Sequence, residues 1–226
     1  MNRPLSSRSE PRWARRKDAR PEEITRAALE LFVERGYAAT RLEDVAARAG
    51  VAKGTLYLYF ANKAELFKAV VREGIVSPIA EMRSLVQQFG GSSFELLRLM
   101  LRGWWERIGS QPLSGIPKLI IAEAGNFPEI ARFYMAEVVE PGQAAIEEII
   151  RRGMARGEFR ALEAKHAALL IAAPMLLTAL WRNSLAPFAG APVDEVGLLE
   201  AHLEALRRAL LKDPDAAPAN PRLIEA

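Results

Sequence analysis

Apolar residues recur along this chain at helical spacing and nowhere at the two-residue alternation of a half-buried strand, so the pattern predicts an all-α protein. Ile24, Ala27, Ala28, Leu31 and Phe32 form the first stripe, and Gly36 stands where a C-cap glycine belongs. Leu42, Val45, Ala46 and Ala49 form the second; Thr40 and Glu43 have capping-box spacing ahead of it, and Gly50-Val51 makes the turn behind it. A short third helix follows, with Leu56 and Phe60 on one face. Asn62 to Glu65 caps a fourth helix whose Leu66, Phe67, Val70 and Val71 face inward, and Ser77-Pro78 is read as its end.

Beyond Gly90-Gly91 the period stays helical. Ser92 to Glu95 opens a fifth helix with Leu97, Met100, Leu101, Trp104 and Ile108 on one face, and residues 112–117 interrupt it with two prolines. A short sixth helix runs to about Ala124. Pro128 sits just inside a seventh, which continues past Pro141 as a kinked or broken pair to Arg156; Gly157 then turns the chain. An eighth helix spans about Glu163 to Leu185 and a ninth about Asp194 to Leu211. The expected fold is all-α with about nine helices, preceded by a flexible basic arm over 1–20 and followed by a disordered tail over 213–226 rich in Pro, Asp and Ala.

The chemistry concentrates in Val51 to Lys63. Once Leu56 and Phe60 turn inward, Lys53, Thr55, Tyr57 and Tyr59 are left outward, offering a cation, hydroxyls and aromatic edges to a duplex. The segment before it supplies the rest of a helix-turn-helix over about 42–61: Ala46 is small enough for two helices to cross, Gly50 can take the left-handed conformation, and Leu56 fills the angle between them. That geometry puts the second helix in the major groove.

Gly36-Tyr37, Thr40, Val45-Ala46, Ala49-Gly50-Val51, Lys53-Gly54-Thr55-Leu56-Tyr57, Tyr59-Phe60 and Asn62-Lys63 together resemble the tetracycline-repressor (TetR/AcrR) family over about residues 20–75. The resemblance implies a homodimer with a DNA-binding domain over 21–75 and an effector-binding and dimerisation domain over 76–212. It implies phosphate contacts for Thr40, Tyr57 and Lys63. Lys53 and Thr55 suit base edges, because a lysine can donate to guanine O6 and N7 and a threonine methyl can pack on a thymine methyl. Arg41, Gly54 and Tyr59 complete the expected DNA-binding set.

Charge changes the picture in the same direction. Of the net +3, residues 1–63 hold thirteen Lys/Arg against eight Asp/Glu, so the basic end is the motif end, as phosphate attraction requires. The arginines of the arm could enter a minor groove or serve only solubility. The absence of cysteine excludes disulfides, thiolate nucleophiles and cysteine metal sites. No apolar stretch follows the charged N-terminus and no run of 18 apolar residues occurs; Ala167 to Trp181, broken by Pro174 and Thr178, reads as buried helix, so a cytoplasmic, nucleoid-associated protein without a membrane partner is expected.

Met100, Trp104, Trp105, Phe127, Phe133, Tyr134 and Met175 are the candidate effector contacts, with ordinary core as the competing reading; adjacent Trp104 and Trp105 cannot both face one side. Trp181 with Leu199, Leu203, Leu206 and Leu210 offers more apolar face than one helix pair needs, which a dimer would cover. Glu163 and His166 have the Glu-x-x-His spacing of carboxylate metal bundles, but no second copy exists, so no metal, no cofactor and no catalytic residue is expected. The function expected is a DNA-binding regulator, by default a repressor released from a palindromic operator by a small, mainly apolar effector. An activator, or a constitutive DNA-binding protein without an effector, stays open beside it.

Overall fold

Gly36 and Gly50 set the path of the first three helices in the computed structural model, which describes residues 21–214. Helix α1 (Pro21–Ala39) is bent at Gly36, whose φ of 84° and ψ of 170° suit a residue without Cβ. Helix α2 (Leu42–Ala49) ends at Gly50, in the left-handed region at φ 71°. There Gly50 N donates to the Ala47 carbonyl and Val51 N to the Ala46 carbonyl, the paired bonds of a Schellman stop. Helix α3 (Lys53–Tyr59) begins two residues later.

Helix α4 covers 63–88 in one run: Lys63–Val71, a π turn Arg72–Val76, then Ser77–Gln88. Asn62 Oδ1 accepts from Glu65 N at its start, as the capping spacing requires. The expected stop at Ser77-Pro78 is corrected. A proline in a regular helix lacks one N–H and its ring collides with the carbonyl four residues back. Here Ser77 N bonds instead to the Arg72 carbonyl five residues back, with Ser77 Oγ donating to the same oxygen, and the wider turn admits the proline.

The same device recurs. Helix α7 covers 128–155 as Pro128–Tyr134, a π turn Met135–Val139 and Glu140–Ala155. Glu140 N reaches the Met135 carbonyl just before Pro141, so the expected kinked or broken pair is one continuous helix. Helix α5 (Ser93–Trp104, extended by a π turn Trp105–Gly109) is capped by Ser92 Oγ accepting from Glu95 N. A 3-10 turn over Pro112–Ser114 leads into α6 (Gly115–Glu123). Helix α8 (Ala164–Ser184) starts at Glu163, whose side chain accepts from Lys165 N, and α9 (Glu195–Leu210) starts at Asp194, whose side chain accepts from Gly197 N. Among the described residues no strand occurs beyond one antiparallel bridge, Phe159 to Leu211.

The packing divides the chain into two units at Val70/Val71. In the first, Ile24, Ala28, Leu31, Phe32, Val45, Leu56, Leu66 and Phe67 are buried. Phe32, Tyr37 and Phe67 form a ring cluster, stacked at 5.7 Å for Phe32 and Tyr37 and edge-on at 5.4 and 5.5 Å for the pairs with Phe67. In the second, Leu97 and Leu101 of α5, Ile149 and Ile150 of α7, Ala168 and Ile171 of α8, and Leu199, Leu203, Leu206 and Leu210 of α9 make one core, closed at its end by Phe159.

Leu199, Leu203, Leu206 and Leu210 are thus spent inside their own chain, which corrects their expected place at a dimer interface. Helix α8 is corrected as well. Its residues Ala164, Ala168, Ile171, Met175 and Ala179 are buried, but Leu170, Leu177 and Trp181 on the other side are exposed, at 72, 65 and 38%. It is long and apolar enough to cross a membrane by length and composition, with a third of its apolar window buried within the protein. The basic arm over 1–20 lies outside the described residues, as does the expected tail from 215 onward.

Candidate nucleic-acid interface and ligand cavity

The surface that α3 presents follows from how firmly its inner face is held. Leu56 is fully buried and Phe60 nearly so, which fixes the rotation of the helix and leaves Tyr57 and Tyr59 about half exposed and Leu58 84% exposed. Lys53 and Gly54 are exposed beside them, and the space a Cβ at Gly54 would occupy is open. Thr55 is half-buried and Arg41, the residue before α2, is exposed.

Lys53 Nζ lies 2.6 Å from Glu43 Oε1 and 5.8 Å from the Tyr57 ring. The hydrogen bond between them holds the Glu43 carboxyl below its ordinary range and raises the Lys53 ammonium. Glu43 therefore keeps the one cation inside α3 folded back toward α2. Sequence reasoning assigned Glu43 only to a cap. A carboxylate ten residues before a DNA-facing lysine was the available signal.

Behind this face several charges are paired. Arg48 bridges Glu30 and Glu34 of α1 at 3.2 and 3.0 Å, and Arg35 reaches Asp44 at 3.3 Å, so α2 is pinned to α1 by exposed ion pairs. Lys63 Nζ donates to the Tyr37 and Ala38 carbonyls at 2.7 and 3.0 Å and sits 4.6 Å from the Tyr37 ring. It closes the end of α1. Thr40 departs from expectation: it is 1% exposed and its hydroxyl proton is shared by the Leu31 and Gly36 carbonyls at 3.2 and 2.7 Å, which leaves none for a phosphate, and the side chain makes no cap bond to α2. Arg41 holds the N-cap position without a side-chain bond.

The second unit contains a cavity of about 330 Å³ with walls from α4 (Pro78, Ile79), α5 (Met100, Trp104, Ile108), α7 (Tyr134, Val138, Gly142, Gln143) and α8 (Leu169, Ala172, Met175, Leu176). Of the seven expected contacts, Met100, Trp104, Tyr134 and Met175 line it. The other three do not. Trp105 turns into the core opposite Trp104, Phe127 caps α7, and Phe133 lies under Arg72, whose guanidinium is 5.1 Å from its ring. The missed walls carry a legible signal: Leu169, Ala172, Ala173 and Leu176 repeat at i, i+3, i+4, i+7, and Gly103, Gly142 and the alanines leave room that larger residues would fill.

The α5 and α7 π turns border this space, and α4 reaches it just beyond its own π turn, through Pro78 and Ile79. Ion pairs tie its walls together: Arg72 of the α4 π turn grips Glu137 of the α7 π turn through two bonds of 2.8 and 2.6 Å, and Arg107 of the α5 π turn reaches Glu81 of α4 at 2.6 Å. Tyr134 lines the cavity without a hydrogen bond to another described residue, and burial pushes its pKa up. Among the described residues no three metal-ligating side chains converge.

The amino-acid sequence matches a family model described as bacterial regulatory proteins, tetR family, over residues 24–70. A second model, tetracyclin repressor-like C-terminal domain, matches residues 90–196. The chain belongs to the TetR family. It is a DNA-binding transcriptional regulator, and α2 with α3 is its helix-turn-helix.

Among relatives of this TetR-family chain, the HTH-type transcriptional activator FasR of Mycolicibacterium smegmatis is 37% identical over 71 residues, 31% of this chain and 32% of that protein, so the match spans about a third of FasR. The fatty acid metabolism regulator protein of Bacillus subtilis is 25% identical over 146 residues, 64% of this chain and 74% of that one. The crystal structure of FadR from Bacillus subtilis in complex with stearoyl-CoA superposes with a TM-score of 0.66 at 22% identity, covering 83% of this chain and 97% of that one, which supports the fold.

Proposed function

We propose that this TetR-family chain is a repressor that acts as a homodimer on a palindromic operator in the cytoplasm, at the nucleoid, and is released when a small, mainly apolar molecule fills the cavity of its second unit. The observation that carries the reading is the cavity itself, roomy and apolar where a structural core would be filled. Arg41, Lys53, Gly54, Thr55, Tyr57 and Tyr59 are the proposed DNA-facing set, and Lys63 positions it. Thr40 supports it from beneath. The proposed dimer face is the exposed apolar side of α8, with Leu170, Leu177 and Trp181, and the dimer must set two reading helices about 34 to 36 Å apart to enter successive major grooves.

Helix α4 is the proposed lever. Leu66 and Phe67 near its start are buried with the reader, and Pro78 and Ile79 beyond its π turn line the cavity. A ligand moves the equilibrium only by its preference for the non-binding state, so a hundredfold loss of operator affinity takes about 2.7 kcal/mol of differential binding. FadR of Bacillus subtilis was crystallised with stearoyl-CoA, which supports looking first among molecules with long hydrocarbon parts. FasR is named an activator, and its match to this chain favours activation as the second reading.

The test is fluorescence anisotropy on a duplex selected from a random pool with the purified dimer. Repression with release predicts high affinity for a palindrome, a fall of tenfold or more when a cavity ligand saturates, and a rise in reporter expression on adding the ligand. Affinity that rises on filling the cavity would establish the activator reading in its place.

A further inference from the structure

The polar inventory of the cavity is short enough to define what fits it. Arg107 is the single charged residue in the wall, and its guanidinium is over half exposed and committed to Glu81 at 2.6 Å. No other fixed charge faces the space. Tyr134 is different in kind. It lines the cavity, is largely buried, and makes no hydrogen bond to another described residue. Gln143, two turns further along the same wall of α7, has a half-buried side-chain amide that likewise makes no hydrogen bond. A buried polar group without a partner costs free energy, and one aimed into an apolar space is satisfied when a ligand or water supplies the missing atom.

Resting on the reading of this cavity as the effector site, we propose that the effector is an uncharged hydrocarbon bearing a carbonyl oxygen, such as a ketone, ester or lactone, with that oxygen accepting from the Tyr134 hydroxyl and Gln143 serving as a second donor. A carboxylate would enter without a counterion and lose its hydration in an apolar enclosure, or would have to draw Arg107 away from Glu81; both disfavour it. A pure hydrocarbon would leave Tyr134 and Gln143 unsatisfied. A cavity of about 330 Å³ is in the range that takes a small organic ligand, so a hydrocarbon body of about ten carbons is a suitable probe. Closing groups of that size against Met100, Trp104 and Met175 supplies the affinity, and the two polar atoms supply the choice among ligands.

The test uses the whole dimeric protein and three readouts. Trp104 lines the cavity, so quenching of its fluorescence reports occupancy by decan-2-one or by decanoate at mildly alkaline pH, with Trp104→Phe to identify the signal. Decan-2-one is expected to bind at least tenfold more tightly than decanoate. Tyr134→Phe, which keeps the ring in the wall, is expected to weaken the ketone roughly three- to tenfold, the loss of one hydrogen bond, with an unchanged melting temperature in the absence of ligand. Gln143→Leu is expected to weaken it less. Equal or tighter binding of decanoate, indifference to Tyr134→Phe, or no occupancy by decan-2-one up to its solubility would each overturn the assignment. Operator affinity is measured separately: ketone binding that depends on Tyr134 but leaves operator affinity unchanged supports the ligand class and refutes release, whereas release by decanoate with Tyr134→Phe indifferent refutes the ligand class and leaves release standing.

Discussion

Replacing Leu177 by lysine should dissociate the dimer without unfolding the protomer. Leu177 is 65% exposed on one protomer, between Leu170 and Trp181 on the outer side of α8. Burying a whole leucine side chain yields about 1.5 to 3 kcal/mol, so covering this one contributes about 1 to 2 kcal/mol. A twofold axis counts it twice, which makes Leu177→Ala worth about 2 to 4 kcal/mol and raises the dimer dissociation constant roughly 30- to 700-fold. Lysine adds the cost of seating two ammonium groups in an apolar face, several kcal/mol more, and raises the dissociation constant further still. Sedimentation velocity over a dilution series, with thermal melting as the folding control, measures both quantities. Leu203, at 4% exposure in the intrachain core, is the contrast: Leu203→Ala should cost about 2 to 5 kcal/mol of folding stability while the folded protein still dimerises. A Leu177→Lys protein that sediments as the wild-type dimer, beside a Leu203→Ala protein that folds but is monomeric, would refute the assignment of the outer face of α8.

Lys53→Ala should remove sequence selectivity, with specific and random duplexes converging in anisotropy titrations. Glu43→Gln should do the opposite for affinity, since it frees Lys53 and removes a carboxylate facing phosphates; binding to every duplex should tighten at low salt, and weaker binding would count against the pair as a brake. Lys63→Ala should lower the melting temperature, because the carbonyls of Tyr37 and Ala38 lose their shared donor at a cost of about 1 kcal/mol, and should reduce the salt slope of DNA binding by about one if Lys63 also meets a phosphate. Gly50→Ala places a Cβ at φ 71° and should cost about 1 to 2 kcal/mol in denaturant titration, with DNA affinity falling in proportion to the unfolded fraction.

The reader was legible because its rules are local. Gly50, Asn62 and Ser92 act on backbone groups within five residues of themselves, and a sequence window contains every atom those bonds need. Thr40 shows where this ends. Its spacing to Glu43 fits a capping box, yet its hydroxyl is taken by Leu31 and Gly36, because the end of α1 leaves carbonyls open beside it and the buried hydroxyl must serve them. Lys53 and Glu43 likewise meet only once α2 and α3 cross. Helix α8 was ambiguous for a different reason: it is apolar on both sides, and periodicity tells that two faces exist without telling which partner takes each.

The cavity was the hardest part to read, and prolines explain why. Pro78 and Pro141 look like helix stops, and a regular helix would break at them. Each is preceded by a turn in which the last residue bonds five residues back, so the helix survives with one residue more than its period allows. That extra residue rotates everything beyond it by about 100° against a wheel drawn at 3.6 residues per turn. A wheel carried from Tyr134 past Met135 therefore assigns the wrong face to Val138, Gly142 and Gln143, while Phe133, which precedes the turn, was expected in the wall only for its residue type. The widened turns also leave helices that cannot pack flush, and Pro78, Ile79, Ile108, Val138 and Val139 at or just beyond the three π turns all border the resulting space. The irregularity that defeats a periodic reading is thus the same one that keeps the second unit from filling its own core.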